Sequence, residues 1–133
     1  MLKIVLDTNI IISAALSPNG TPAKILSSIG MSYDLQLLYN NEILTEYKDV
    51  LSRPRLNIAA DIQNRIIKTI INVGIIANPV ASDFPMPDET DRIFYDIAKT
   101  NDAILVTGNI KHFPTESFIT TPSDFLSFVY IGV

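Results

Sequence analysis

The chain has 133 residues, 47% of them apolar, no cysteine, and a formal net charge of −4. That length predicts a single domain, residues 1–133, with enough buried surface for one core. The missing cysteines exclude a disulfide framework and a thiolate zinc site and fit a cytoplasmic location, and no apolar run is long enough to cross a bilayer.

Residues 2–6 (LKIVL) read as a strand buried on both faces, as in a parallel sheet. The apolar stretch between Lys3 and Asp7 is too short for the core of a signal peptide. Residues 9–17 predict a helix stopped by Pro18-Asn19-Gly20. A short helix opens at Thr21-Pro22, with proline suited to its first position, and ends at Gly30. Residues 35–39 (LQLLY) predict a strand, and 41–52 a helix broken by Arg53-Pro54. Residues 59–73 carry Ile62, Ile66, Ile67, Ile70 and Ile71 at helical spacing, with Gly74 as C-cap. A short strand follows at 75–77, then a proline-rich loop, a helix at 89–101 and a buried strand at 103–107. Residues 117–120 suit an edge strand, Thr121-Pro122 opens a last helix, and the final VYIGV suits a closing strand.

Strand–helix alternation predicts an α/β fold, a three-layer α/β/α sandwich around a mostly parallel sheet. In such sheets ligands bind at the carboxyl ends of the strands. Asp7 follows the first strand there, and Thr107, Gly108 and Asn109 follow a later one. Helices leaving those strands also begin at that edge, so their acids can be tested by angle. In 41–52 the apolar stripe is Ile43, Leu44, Tyr47, Val50 and Leu51. Glu46 lies about 40° from Val50, whereas Glu42 and Asp49 turn toward solvent. In 89–101 the stripe is Ile93, Phe94, Ile97 and Ala98; Asp91 lies about 20° beyond Ala98 and Asp96 on the opposite, polar face. Asp88 suits a helix cap.

Asp7, Glu46 and Asp91 are therefore expected to meet at one edge, with Asn109 beside them. Three carboxylates in a partly apolar site raise one another's pKa, and a hard divalent cation, Mg²⁺ or Mn²⁺, resolves that conflict. Such a cation can ionise water and polarise a phosphodiester.

The stretches LDTNIIISA, EILTEYKDVLSRP, PDETDRIFYDIAK and ILVTGNIKHFP, in that order, resemble a PIN domain, the fold of the VapC-type toxin ribonucleases of toxin–antitoxin systems. The resemblance covers essentially the whole chain. Carried across, the family's acidic quartet falls on Asp7, Glu46, Asp91 and Asn109, the last commonly Asp in the family. It implies endonucleolytic cleavage of RNA by a metal-activated water, with Thr8, Asn9 and Thr107 bracing the site by hydrogen bonds. It also implies a homodimer and a cognate antitoxin. Asn109 adds no negative charge, which favours one well-held metal.

Each residue also has a plainer reading. Asp7 can cap the next helix, Glu46 can be a solvated helix residue, Asp91 can complement a helix dipole, and Asn109 can be a turn residue. The acidic balance opposes broad phosphate neutralisation, so RNA binding needs local cations. Lys24, Arg53, Arg55, Arg92, Lys99 and Lys111 are candidates for phosphate contacts, with Arg92, Lys111 and His112 the substrate-binding set nearest the motifs. His112 is the only histidine, and without a nucleophile elbow a Ser–His–Asp hydrolase has no support. Two other classes remain: an inactive PIN-fold assembly module, and a receiver-like phospho-acceptor. The second lacks an acid ending the 75–77 strand.

Overall fold

The computed structural model describes residues 2–31 and 34–131. Its elements run in the order β1 (Leu2–Leu6), α1 (Thr8–Leu16), α2 (Thr21–Met31), β2 (Leu35–Tyr39), α3 (Asn41–Leu51), α4 (Ala60–Val73) and β3 (Gly74–Ile76). They continue through α5 (Arg92–Thr100), β4 (Ile104–Val106), β5 (Ile119–Thr120) and α6 (Pro122–Ile131). Three single 3₁₀ turns, at Pro54–Leu56, Glu89–Asp91 and Ile110–His112, fall in the connections.

The five strands form one sheet in the order β3-β2-β1-β4-β5, and every neighbouring pair is parallel. Ile4, Val5 and Leu6 of β1 are fully buried, as are Leu105 and Val106 of β4. Central strands of a parallel sheet are covered on both faces, so they carry no polar alternation. The chain lays down β1, β2 and β3 in one direction, then crosses back past β1 to add β4 and β5. With right-handed crossovers, connections made before and after that reversal cover opposite faces. The result is the three-layer α/β/α sandwich. Helix α5 packs on β1 and β4, while α1 to α4 pack against one another.

Local chemistry accounts for the element ends. Asn40 caps α3 through its side chain, which accepts the Ile43 N–H at 2.8 Å. Gly74 ends α4 in an extended conformation and starts β3. A Cβ there would lie 2.5 Å from the Ile70 carbonyl oxygen and 2.6 Å from the Tyr39 ring. Only glycine permits that approach.

Three expectations need correction. The closing strand at 129–133 is absent as far as Ile131, because α6 continues through that residue; Gly132 and Val133 lie outside the described residues. Phe125, Leu126 and Val129 all turn toward the core, and the spacing of three between Leu126 and Val129 shares a face in a helix but not in a strand. The helix at 89–101 begins with a 3₁₀ turn, and Asp88 caps that turn by accepting the Thr90 N–H. Asp96 is buried at 4% exposure rather than facing solvent. The proline-rich loop folds over that side of α5, and Ser82 donates its N–H and hydroxyl to the Asp96 carboxylate at 3.2 and 2.6 Å. Helical periodicity reports only on the helix itself, not on the loop that covers its polar side.

Candidate functional site

The reversal of strand order between β1 and β4 leaves a crevice at the carboxyl edge of the sheet. The Asp7 N–H donates to the Val106 carbonyl at 3.0 Å, extending the β1–β4 ladder by one residue. That bond sets Asp7 beside Thr107. The Thr107 N–H donates in turn to the Thr120 carbonyl of β5 at 2.9 Å. Asp7 is only 5% exposed and Thr107 fully buried.

The Asp7 carboxylate is satisfied on both oxygens. Thr107 Oγ1 donates to Oδ2 at 2.7 Å, and the Thr8 N–H donates to Oδ1 at 2.8 Å. Thr107 Oγ1 also accepts the Asn109 N–H at 3.0 Å, which shapes the loop after β4. Asn9 Oδ1 accepts the Gly108 N–H at 3.2 Å and ties the same loop to α1. On the α3 side, the Thr8 hydroxyl donates to Glu46 Oε2. Thr8 thus touches two acids from different elements. The Tyr47 hydroxyl, fully buried, donates to the Leu6 carbonyl and pins α3 to the end of β1. That link was not legible in the sequence, where Tyr47 looked like an ordinary member of the apolar stripe.

The third acid comes from the turn before α5. Asp91 Oδ2 lies 3.5 Å from His112 Nδ1, and His112 Nε2 lies 2.9 Å from Asn109 Nδ2. An amide nitrogen only donates, so Nε2 accepts and the neutral ring carries its proton on Nδ1, facing Asp91. Asp88 joins this corner. Among the described residues, the three metal-ligating side chains with donor atoms within 4.8 Å of one another are Asp88, Asp91 and His112. Asp7 and Glu46 stand outside that tight group but line the same cleft. Sequence reasoning treated Asp88 as a cap and His112 as a substrate contact, not as neighbours; their approach depends on how two separate 3₁₀ turns pack.

The cleft measures about 550 Å³. Asp7, Thr8, Asn9, Glu46, Asp91 and Asn109 all line it, together with Asp88 and His112, and Arg53 and Arg55 stand at its side. A larger groove of about 700 Å³ runs between α3 and α4, but Asp49 is its only acid. The other candidate cations do not line the acidic cleft. Arg92 is the clearest departure from expectation: its guanidinium is held by Glu89 at 2.7 Å, by the Ser82 and Phe84 carbonyls and by the Ser82 hydroxyl. It straps the proline-rich loop to α5. Lys99 lies 5.4 Å from the Phe84 and Tyr95 ring centroids, and Lys24 and Lys111 are exposed elsewhere.

Burial is the main cause raising all three acids. It lifts Asp7 above the usual carboxylate range, although the Thr107 and Thr8 bonds pull the other way. It lifts Glu46 as well, aided by the Asp7 charge and opposed by the Thr8 hydroxyl and Arg53. Asp91 is pushed up to about 6 by burial, then by the charges of Asp7 and Asp88. The donor set is carboxylate oxygens with one imidazole, and its carboxylates repel one another when ionised. That chemistry fits a hard divalent cation.

Comparison with known proteins agrees with this architecture. The sequence model of the PIN domain family matches residues 3–111. An uncharacterised protein of Methanocaldococcus jannaschii is 34% identical over 111 residues, covering 81% of this chain and 71% of that protein. The crystal structure of PAE2754 from Pyrobaculum aerophilum superposes with a TM-score of 0.65, at 12% identity, over 98% of this chain and 90% of that one. At that identity the likeness speaks for the fold alone.

Proposed function

The chain belongs to the PIN domain family, and from that premise we propose that it is a metal-dependent endoribonuclease, the toxin of a toxin–antitoxin pair. PIN domains are generally nucleases, a class of hydrolase. The observation that carries the reading is the convergence of Asp7, Glu46, Asp91 and Asn109 on one cleft at the switch point of the sheet. In this reading Asp7, Glu46 and Asp91 hold Mg²⁺ or Mn²⁺, with Asp88 and His112 flanking Asp91. When bound, such a cation neutralises charge on a phosphodiester and acidifies water.

The chain's own residues do the rest. Thr107 and the Thr8 N–H fix the direction of the Asp7 carboxylate, so its free lone pairs face the cleft. Thr8 holds Glu46, whose raised proton affinity suits it to accept a proton from an attacking water. Asn109 fixes the His112 ring, which presents its Nδ1 proton to Asp91 or to a substrate oxygen. Lys111, one residue away, is a second candidate for substrate contact. The RNA substrate, a cognate antitoxin, a homodimer and a cytoplasmic location belong to the same proposal. No described helix is long and apolar enough to cross a membrane.

A catalytically weak assembly module is the second reading. Its support is Asn109, whose amide brings no charge and is engaged with His112. One assay separates the two. A mixed RNA pool is incubated with Mg²⁺, Mn²⁺ or EDTA and either the wild type or Asp7→Asn. The nuclease reading expects cleavage with metal only, lowered at least about a hundredfold by the substitution. Equal cleavage by both proteins, or none by the wild type with either metal, sinks it.

A further inference from the structure

The cleft has a charge problem. Four carboxylates line it: Asp7, Glu46, Asp88 and Asp91. A divalent cation cancels half of that charge, and a phosphodiester would still be repelled. The two guanidiniums at the side of the cleft, Arg53 and Arg55, cancel the remainder. Among the described residues they are the only permanent cations lining it, since Arg92 and Lys99 are engaged elsewhere.

Their setting suits a docking role. Arg53 follows the end of α3, close enough to Glu46 for its charge to lower that acid's proton affinity. Its one ion pair, with Asp49 at 3.6 Å, is exposed on both sides and therefore weak. Arg55 makes no hydrogen bond or ion pair among the described residues. It is carried on a short, stiff turn. Pro54 sets the backbone angle at the start, and Asn57 closes the turn in the left-handed region at φ 52°. A long cation held on a rigid base, without a protein partner, beside a group of acids is poised for an anion.

Resting on the ribonuclease reading, we propose that Arg53 and Arg55 form a phosphate-docking site for an unpaired RNA strand. They hold a phosphate next to the scissile one, on the Glu46 side of the cleft. The strand then crosses the acids from the α3 end toward His112. Guanidinium is the fitting group because its fork matches two phosphate oxygens.

The test uses cleavage of an unstructured fluorescent RNA oligomer with Mn²⁺ at several salt concentrations. Arg55→Ala is expected to raise KM about tenfold with little change in kcat, and to reduce the salt slope of log KM by about 0.7 for the lost contact. Arg53→Ala acts in the same direction, and the double variant lowers the slope further. Arg55→Lys recovers the slope, because the charge returns, but only part of KM. A merely structural role would not move the salt slope, and both side chains are exposed, so folding is expected to survive. If the wild type cleaves while the alanine variants keep its KM and slope, the docking site is wrong and the nuclease reading stands. A fall in kcat at unchanged KM also overturns it. If the wild type cleaves nothing with any cation, both fall.

Discussion

The two walls of the acidic cleft are built on different principles. On the strand-end wall, Asp7 and Glu46 are held by hydrogen bonds from Thr107 and Thr8, with Tyr47 locking α3 to β1 behind them. On the opposite wall, the Asp91 carboxylate has, among the described residues, no partner tighter than the His112 ring at 3.5 Å, and Asp88 is only partly buried. Asp7 is the more deeply buried of Asp7 and Asp91, yet Asp91 is the acid pushed up to about 6. Donated hydrogen bonds offset burial at Asp7, and nothing comparable does so at Asp91. One wall is preorganised by protein groups; the other is where the proposed cation would supply the charge that protein groups do not.

The contrast breaks most directly at Thr107. Thr107→Val keeps the shape but removes the bond to Asp7 and the acceptor for the Asn109 N–H. It is expected to cost about 1–3 kcal/mol of stability, because buried polar atoms lose their partner. Denaturant unfolding measures this. An unchanged midpoint would mean that the wall does not depend on its hydrogen bonds.

The second expectation concerns pH in the metal-free protein. Asp91, Asp7 and Glu46 all bind protons more tightly folded than unfolded. Between the ordinary carboxylate range and about 6 the folded state therefore holds more protons, and these groups lose stability as pH rises through that window. The loss from Asp91 is at most about 3 kcal/mol by pH 7. A divalent cation that relieves the repulsion should raise the melting temperature more at pH 7.5 than at pH 5. Thermal melts with and without Mn²⁺ at both values decide it, and an equal rise at both would count against a cation at Asp91.

Asp88→Asn is the smallest change. This side chain is partly exposed and already serves as the cap of its own turn. A few-fold weakening of Mn²⁺ binding in calorimetry, with no change in folding, is expected. A loss as large as that of Asp91→Asn would move Asp88 from the rim to the centre of the cation site.

Much of this architecture was legible in local pattern. The apolar runs 2–6 and 103–107 mark buried parallel strands, and the helical stripes of 41–52 and 59–73 mark which faces pack. Angles around two helices were enough to select Glu46 over Glu42 and Asp49, and Asp91 over Asp96, as the acids of the cleft. The same angular argument failed on the surroundings of Asp96, because the proline-rich loop that buries it belongs to another part of the chain. It was silent on Asp88 with His112 for the same reason.

From its own residues the chain determined an alternating α/β order, the positions of its strands and helix faces, and an acid placed just after the first strand. These are short-range properties, set by periods of 2 and 3.6 residues and by turn chemistry. Folding in three dimensions decided which cations reach the cleft, which helix polar side is covered by a loop, and which acids are held and which are left strained. Those outcomes depend on contacts between residues up to 100 positions apart, such as Thr107 with Asp7, which no local pattern encodes.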